Sequence, residues 1–120
     1  MLTIRIRRVV FYRDESGDSP IERFLDNLNA KDARKVTWVL QLIEDVEIVP
    51  AIYFKKLTST KDIWEVRVQS SGNAYRLLCF LHRGSMVVLT NGFSKKSQKT
   101  PSREIKLAEK RKDIWMRRNA

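Results

Sequence analysis

Seven basic residues in the second half of the sequence lie on segments that alternate like β-strands, or directly after such segments. They are Lys55, Lys56, Arg67, Arg76, Lys95, Lys96 and Lys99. Fixed cations bind phosphate, and they stabilise the negative charge that develops on phosphoryl oxygens during phosphate-ester chemistry. This set therefore predicts a site for a phosphate-containing partner.

The distribution of charge along the chain indicates the same class of partner. Residues 1–54 hold 8 Lys and Arg against 9 Asp and Glu, a net charge of −1, whereas residues 55–120 hold 16 against 5, a net charge of +11. A one-sided positive field attracts polyanions and releases counterions on binding. Nucleic acid is the leading partner, and a generically basic soluble surface is the alternative.

Two charged residues fall inside segments that predict strands. Side-chain alternation in Asp62–Gln69 puts Glu65 and Arg67 on a mostly polar face, with Trp64 on the apolar face that packs into the core. Arg76 lies in an apolar run, where a charge is costly unless it faces solvent or a partner. These residues indicate a site, although Glu65 could instead form a purely structural ion pair with Arg67 or Arg76 across a hairpin.

Residues for metal or nucleophilic chemistry are scarce. The single histidine, His82, lies in a predicted hairpin turn and is expected to be solvated, and the single cysteine, Cys79, is expected to be a small core residue. Neither a zinc site nor a catalytic triad can be assembled from them. The acidic residues of the basic half are scattered and no glycine-rich phosphate loop is present, so we predict no metal and no cofactor.

The first half of the chain must supply elements that support this site. Residues Leu2–Tyr12 begin with strict alternation and predict a strand. Ser19 and Pro20 open a capping box that predicts a helix to about Leu28, and Asn29 can cap a second helix that ends before Pro50. The resulting helical hairpin has one apolar side, which needs a sheet to cover it.

The second half predicts that sheet. The alternating segments form an antiparallel meander of three to four strands: Tyr53–Leu57, Asp62–Gln69, Ala74–Leu81 and Met86–Phe93. Residues 102–118 predict an amphipathic, basic terminal helix. The 120 residues thus predict one α+β domain, 1–120, without a transmembrane segment, and we expect it in the cytoplasm because arginines interrupt the apolar N terminus.

Several motifs, in order along the chain, carry a resemblance to a known family. They are Lys55-Lys56-Leu57, Trp64-Glu65-Val66-Arg67, Tyr75-Arg76-Leu77 and Phe93-Ser94-Lys95-Lys96-Ser97-Gln98-Lys99-Thr100-Pro101. The sequence resembles the phage-derived branch of the RelE/HigB toxins, in the RelE/ParE superfamily of type II toxin–antitoxin systems. The resemblance implies a RelE-like fold and a metal-independent endoribonuclease that cuts mRNA, usually in the ribosomal A site, and so inhibits translation.

The resemblance also implies roles for the basic residues, in a reaction in which the RNA 2′-OH attacks the adjacent phosphorus. The implied catalytic residues are Lys56, Arg67, Lys96 and Glu65. The implied RNA- and phosphate-binding residues are Lys55, Arg76, Lys95 and Lys99. The general base stays open between Glu65 and a lysine whose pKa is lowered by neighbouring cations, such as Lys55 beside Lys56 or Lys95 beside Lys96. This chain lacks the histidine or terminal tyrosine that some of these toxins use.

The same resemblance implies partners. These are mRNA, the ribosome and a cognate antitoxin, expected to be a helix-turn-helix protein with an acidic segment, and no membrane is implied. Two other functions are compatible with the fold and charge. One is a ParE-like toxin that inhibits gyrase, and the other is a non-catalytic regulator that binds nucleic acid.

Overall fold

The computed structural model describes residues 5–120 and shows the predicted α+β fold, with three helices and a five-stranded sheet. The elements in chain order are β1 Arg8–Phe11, α1 Pro20–Asp26, α2 Ala30–Asp45, β2 Phe54–Lys56, β3 Trp64–Ser70, β4 Asn73–His82, β5 Met86–Ser94 and α3 Ser102–Arg118. No helix in this range has the length and apolar character to cross a membrane.

The sheet has the strand order β1-β5-β4-β3-β2. Strands β2 to β5 form the predicted antiparallel meander, and β1 pairs in parallel with β5 at the opposite edge. The helical hairpin of α1 and α2 connects the two edges of the sheet, because it lies in the chain between β1 at one edge and β2 at the other.

Both faces of the sheet are covered, each by different helices. On one face α1 and α2 pack against inward residues of the sheet, among them Val66, Leu77 and Leu89. A Cβ atom at Gly92 would lie 2.8 Å from the Phe24 ring, so the absence of a side chain there lets α1 approach β5. On the other face α3 covers a second buried cluster: Tyr12, Ile63, Leu78, Phe80, Val88 and Ala108. The face expected to be mostly polar is therefore apolar beneath α3 and becomes polar only from Glu65 onward.

The two predicted helix starts are confirmed, because both depend on local hydrogen bonds. The Ser19 side chain accepts from the backbone N–H of Glu22, and the Asn29 side chain accepts from that of Asp32. Asp32 is itself fully buried and accepts a 2.5 Å hydrogen bond from the Tyr75 hydroxyl. Hydrogen bonds from Ser70 and Tyr75 hold the pKa of Asp32 below its ordinary value. This network fastens the start of α2 to the β3–β4 hairpin.

Two predicted boundaries in the first half are wrong. Residues 5–7 were predicted to belong to the first strand but precede β1, which begins at Arg8, and the prediction for residues 1–4 lies outside the described part of the chain. The Arg7 guanidinium donates to the carbonyls of Ile43, Val46 and Glu47, where it caps the end of α2 instead of extending the strand. Helix α1 ends at Asp26 rather than Leu28, since the chain must become extended at Asn29 to cap α2.

The prediction for His82 is also wrong. His82 is the last residue of β4, is 8 % exposed, and lies with its ring centroid 5.9 Å from that of Trp115 in α3. The turn consists of the next three residues, and Arg83 and Gly84 adopt positive φ angles of 54° and 80°. Pairing of His82 with Met86 extends the strand by one residue, and α3 then covers the imidazole.

Candidate functional site

Glu65 lies at the centre of the cationic residues and is 2 % exposed. Its Oε1 atom lies 3.5 Å from Arg67 Nε and 3.4 Å from Arg76 Nε. Its Oε2 atom accepts a 2.5 Å hydrogen bond from the Thr100 hydroxyl. Arg67 and Arg76 are direct partners across β3 and β4, so both lie on the Glu65 face of the sheet. One carboxylate thus holds two guanidinium groups side by side.

Arg76 is the most buried of these cations, at 6 % exposure. Its Nη1 atom donates to the Tyr75 carbonyl at 2.9 Å, whereas its Nε atom has no hydrogen-bond partner despite the short distance to Glu65. Burial lowers the pKa of Arg76, Glu65 opposes that shift, and Arg67 lowers the pKa further. A desolvated cation with only part of its charge compensated favours an anionic ligand.

The two lysines of β2 point to different faces of the sheet. Lys55 is the register partner of Glu65, so it shares the face of the arginines. Lys56 is paired with Trp64 on the other face, and its Nζ atom lies 3.0 Å from Asp62 Oδ1. That contact lowers the pKa of Asp62. Lys56 borders the site but its ammonium is held by a carboxylate.

Lys95 follows β5 directly and is half-buried beside the arginines. Its backbone N–H donates to the Ala74 carbonyl at 2.8 Å, which continues the sheet pairing by one step. Burial lowers the pKa of Lys95, and the charges of Arg76 and Arg67 lower it further against the opposing effect of Glu65. The cations that lower the pKa of Lys95 therefore lie on β3 and β4, whereas the sequence suggested its neighbour Lys96.

Two open clefts meet at these residues, with Arg67, Lys95 and Gln98 lining both. Lys96 borders the larger cleft, of about 520 Å³, and Lys99 borders the smaller one, of about 270 Å³. Both lysines are exposed on the segment between β5 and α3. All seven basic residues line one or both of these clefts, and Lys56 lines the smaller one with Glu65 while its ammonium contacts Asp62.

Sequence reasoning missed Thr100 as part of the site. The sequence assigns Thr100 no role beyond its place in the motif that ends at Pro101, yet its hydroxyl donates to Glu65 rather than capping α3. Nothing local in the sequence signals this contact, because it joins residues 35 positions apart.

Other reactive side chains lie elsewhere. Cys79 is buried in the core, where burial raises the pKa of its thiol, and His82 is covered by α3. In residues 5–120 no three His, Cys, Asp or Glu side chains are grouped closely enough to hold a metal ion. The groups available at the site are cations, one buried carboxylate and polar side chains.

The fold and the site define a small α+β protein with a cationic, phosphate-compatible cleft on one face of its sheet. Residues 23–113 match the sequence family described as phage-derived protein Gp49-like (DUF891), and the chain belongs to this family. It is the Gp49/HigB-type toxin family, which relates the chain to toxin–antitoxin systems. The match spans all seven basic residues. No curated protein matches the chain at a significant level.

Proposed function

We propose that the chain is the toxin of a toxin–antitoxin pair and cleaves mRNA on the ribosome, which inhibits translation. The observation that carries the proposal is the facing pair Arg67 and Arg76, held by the buried Glu65 and bordered by Lys95. Two guanidinium groups side by side match the non-bridging oxygens of one phosphate. Membership of a family associated with RelE-type endoribonucleases supports the same function.

The proposed reaction is attack of an RNA 2′-oxygen on the adjacent phosphorus, with departure of the 5′-oxygen of the next nucleotide. The products are a 2′,3′-cyclic phosphate and a 5′-hydroxyl end. Arg67 and Arg76 stabilise the charge that builds on the non-bridging oxygens, where fixed cations are most effective. Lys96, exposed at the edge of the same cleft, donates the proton that the leaving 5′-oxygen needs.

Lys95 is the proposed general base. Burial and the two arginines lower its pKa, so a larger share of its amine is neutral and able to accept the 2′-OH proton. Glu65 acts as a positioning residue, because one of its oxygens faces the arginines and the other is occupied by Thr100. Lys55 and Lys99 bind the flanking phosphates of the RNA. Lys56 also binds a phosphate once its ammonium no longer contacts Asp62.

The proposed partners follow from the same charge. An antitoxin with an acidic segment would neutralise the cleft, and complementary charge would also accelerate its binding. The ribosome supplies mRNA in an extended, single-stranded form and presents ribosomal RNA to the basic surface of α3. We also propose that the antitoxin is a helix-turn-helix protein and that mRNA cleavage depends on the ribosome.

The test is inducible expression of the chain alone, with growth, protein synthesis and the 5′ ends of cellular mRNAs recorded together. Wild type should arrest growth and leave new mRNA ends that carry a 5′-hydroxyl. Lys96→Ala should abolish both effects without altering the melting temperature, since Lys96 is exposed. Lys31→Ala, an exposed lysine at the start of α2, is the matched control and should remain toxic.

Two outcomes would replace the proposal. Arrest with intact mRNA and inhibited DNA supercoiling would favour the gyrase-directed function. Binding of RNA without cleavage or arrest would favour the non-catalytic regulator.

A further inference from the structure

A third groove, of about 420 Å³, adjoins the cationic cleft and shares Arg67 and Arg76 with it. Its other lining residues are Lys35, Ile52, Tyr53 and Gln69, and we call it the aromatic groove. The backbone N–H of Arg67 donates to the Tyr53 carbonyl at 2.8 Å, which fixes Tyr53 beside the arginine pair. The aromatic groove is therefore a continuation of the proposed RNA site.

Two exposed apolar side chains lie at this groove: Ile52 lines it, and Trp38 packs on the lining residue Tyr53. Trp38 of α2 is 49 % exposed and Ile52 is 68 % exposed. The Trp38 and Tyr53 ring centroids are 5.7 Å apart with an angle of 73° between the ring planes. Lys35 Nζ lies 4.5 Å from the Trp38 ring centroid. This arrangement leaves aromatic surface in solvent next to cations.

The sheet edge at this groove is open. Strand β2 pairs with β3 only where Phe54–Lys56 meet Trp64, Glu65 and Val66. From Arg67 to Ser70, β3 continues and no strand within residues 5–120 pairs with it on that side. Gln69, exposed on this stretch, places its amide at the groove with both donor and acceptor atoms available.

We propose that the aromatic groove binds a base of single-stranded RNA next to the phosphate held by Arg67 and Arg76. The base stacks on the aromatic surface of Tyr53 and Trp38, and the Gln69 amide hydrogen-bonds to its edge. Stacking on aromatic side chains beside a cationic backbone track is how proteins bind single-stranded nucleic acid. The inference rests on the proposed function in taking RNA as the substrate, and it adds a base-reading subsite to the cleavage site.

The lining charges favour RNA over a protein segment as the occupant. Three of the six lining residues, Lys35, Arg67 and Arg76, are cationic, and none is acidic. Arg67 and Arg76 also form the proposed phosphate site. An RNA strand whose phosphate is held there therefore brings a neighbouring base to the groove. An acidic antitoxin segment would satisfy the cations but would leave the aromatic surface unused.

The experiment compares two single-stranded RNA probes of equal length, both 2′-O-methylated so that they cannot be cleaved. One carries normal bases and the other carries abasic sites. Trp38→Ala and Tyr53→Leu should each raise the Kd for the normal probe about tenfold, the range of a lost stacking contact. They should leave the Kd for the abasic probe and the salt dependence unchanged, because no cation is removed.

Fluorescence and a matched control make the test independent of folding. Base-containing RNA should quench the emission of Trp38 in wild type, and Trp38→Phe should remove that quenching. Ile48→Ala, an exposed apolar residue outside the groove lining, should change neither Kd nor fluorescence. Because Tyr53 also packs against the core, Trp38→Ala at the half-exposed position decides the case if Tyr53→Leu is unstable.

The outcomes separate this inference from the proposed function. An unchanged Kd in Trp38→Ala overturns the base subsite even if the chain cleaves mRNA. Base-dependent binding without any cleavage supports the subsite and overturns the ribonuclease. Loss of antitoxin binding with unchanged RNA affinity assigns the groove to the antitoxin and overturns the inference.

Discussion

Arg67 and Arg76 are paired directly opposite each other on β3 and β4, and the Oε1 atom of Glu65 lies within 3.5 Å of the Nε atoms of both. Like charges in opposed strand positions destabilise a sheet. Glu65 offsets this repulsion with one negative charge for two positive ones, so the pair keeps a net positive charge in a mostly desolvated setting. The same arrangement stabilises the fold and favours an incoming phosphate.

Replacement of Glu65 by Gln should destabilise the protein by about 3 kcal/mol, because removal of one partner leaves buried charge uncompensated. Urea unfolding of Glu65→Gln would measure this loss. The double variant Glu65→Gln with Arg76→Met should recover part of the stability, since it removes the unpaired cation as well. Equal stability of wild type and Glu65→Gln would show that the contact with Thr100 and the arginines contributes little.

Cleavage should increase with pH through the lowered pKa of Lys95, because only the neutral amine accepts a proton. Arg76→Gln removes one cause of the lowering, so the rising part of the pH–rate profile should move to higher pH. Lys95→Ala should reduce the rate by roughly a hundredfold or more. A profile that stays at the same pH in Arg76→Gln would assign the proton transfer to another group.

The same shift gives folding a pH dependence of defined sign. A lysine with a lowered pKa binds its proton more weakly in the folded state than in the unfolded state. The free energy of unfolding should therefore increase as pH rises between the folded and unfolded pKa values of Lys95. In Lys95→Ala this contribution should be absent from the pH dependence of urea unfolding.

Lys55 and Lys56 should differ although they are neighbours. Lys55 is the register partner of Glu65, whereas Lys56 is paired with Trp64 and its ammonium contacts Asp62. Lys55→Ala should therefore weaken single-stranded RNA binding more than Lys56→Ala does, with both variants folded because both side chains are exposed. Asp62→Asn should strengthen binding by freeing Lys56. The opposite ranking of the two lysines would favour the role that family resemblance gives to Lys56.

Features encoded by short-range contacts could be predicted from the sequence. Ser19 and Asn29 cap their helices through residues three positions away, and side-chain alternation correctly placed Trp64 with Val66 and Val68. The mixed α+β architecture followed from these elements. The contacts of Glu65 with Arg67 and Arg76, which the sequence offered as a structural alternative to a site, are present in the fold.

Features that depend on distant contacts could not be predicted. Arg7 caps the end of α2, more than 35 residues away, and so the first strand begins only at Arg8. The three-residue strand β2 has too little pattern to reveal which lysine faces Glu65. The turn residues that follow His82 in the sequence suggested a solvated side chain. His82 is buried instead, because α3 packs over it.

Trp64→Ala should cost about 3 kcal/mol, at the lower end of the range for removal of a large aromatic side chain. Trp64 is half-buried and stacks on Phe54, with ring centroids 4.7 Å apart and 24° between the planes. Thermal or urea unfolding would measure the loss, with Trp38→Ala, on the half-exposed side of α2, as the control that changes little. An unchanged stability in Trp64→Ala would contradict the β2–β3 register.

Two groups of basic residues in α3 have different expected roles. Arg111, Lys112 and Arg118 donate to the carbonyls of Thr90, Lys61 and Arg13 at 2.8, 2.7 and 2.6 Å, which ties the helix to the rest of the fold. A second group is exposed and lies along one side of the helix: Lys106, Lys110 and Arg117. The exposed group is therefore available to contact ribosomal RNA.

Neutralisation of the exposed group should weaken ribosome binding and reduce its salt dependence without a change in stability. Each lost phosphate contact lowers the slope of log K against log salt by about 0.7 to 0.9, so substitution of all three by Gln should flatten it measurably. Arg111→Gln with Lys112→Gln is the matched comparison, and it should lower stability because two tethers are removed. If instead the exposed triple variant keeps its affinity and slope, α3 serves only to cover the second face of the sheet.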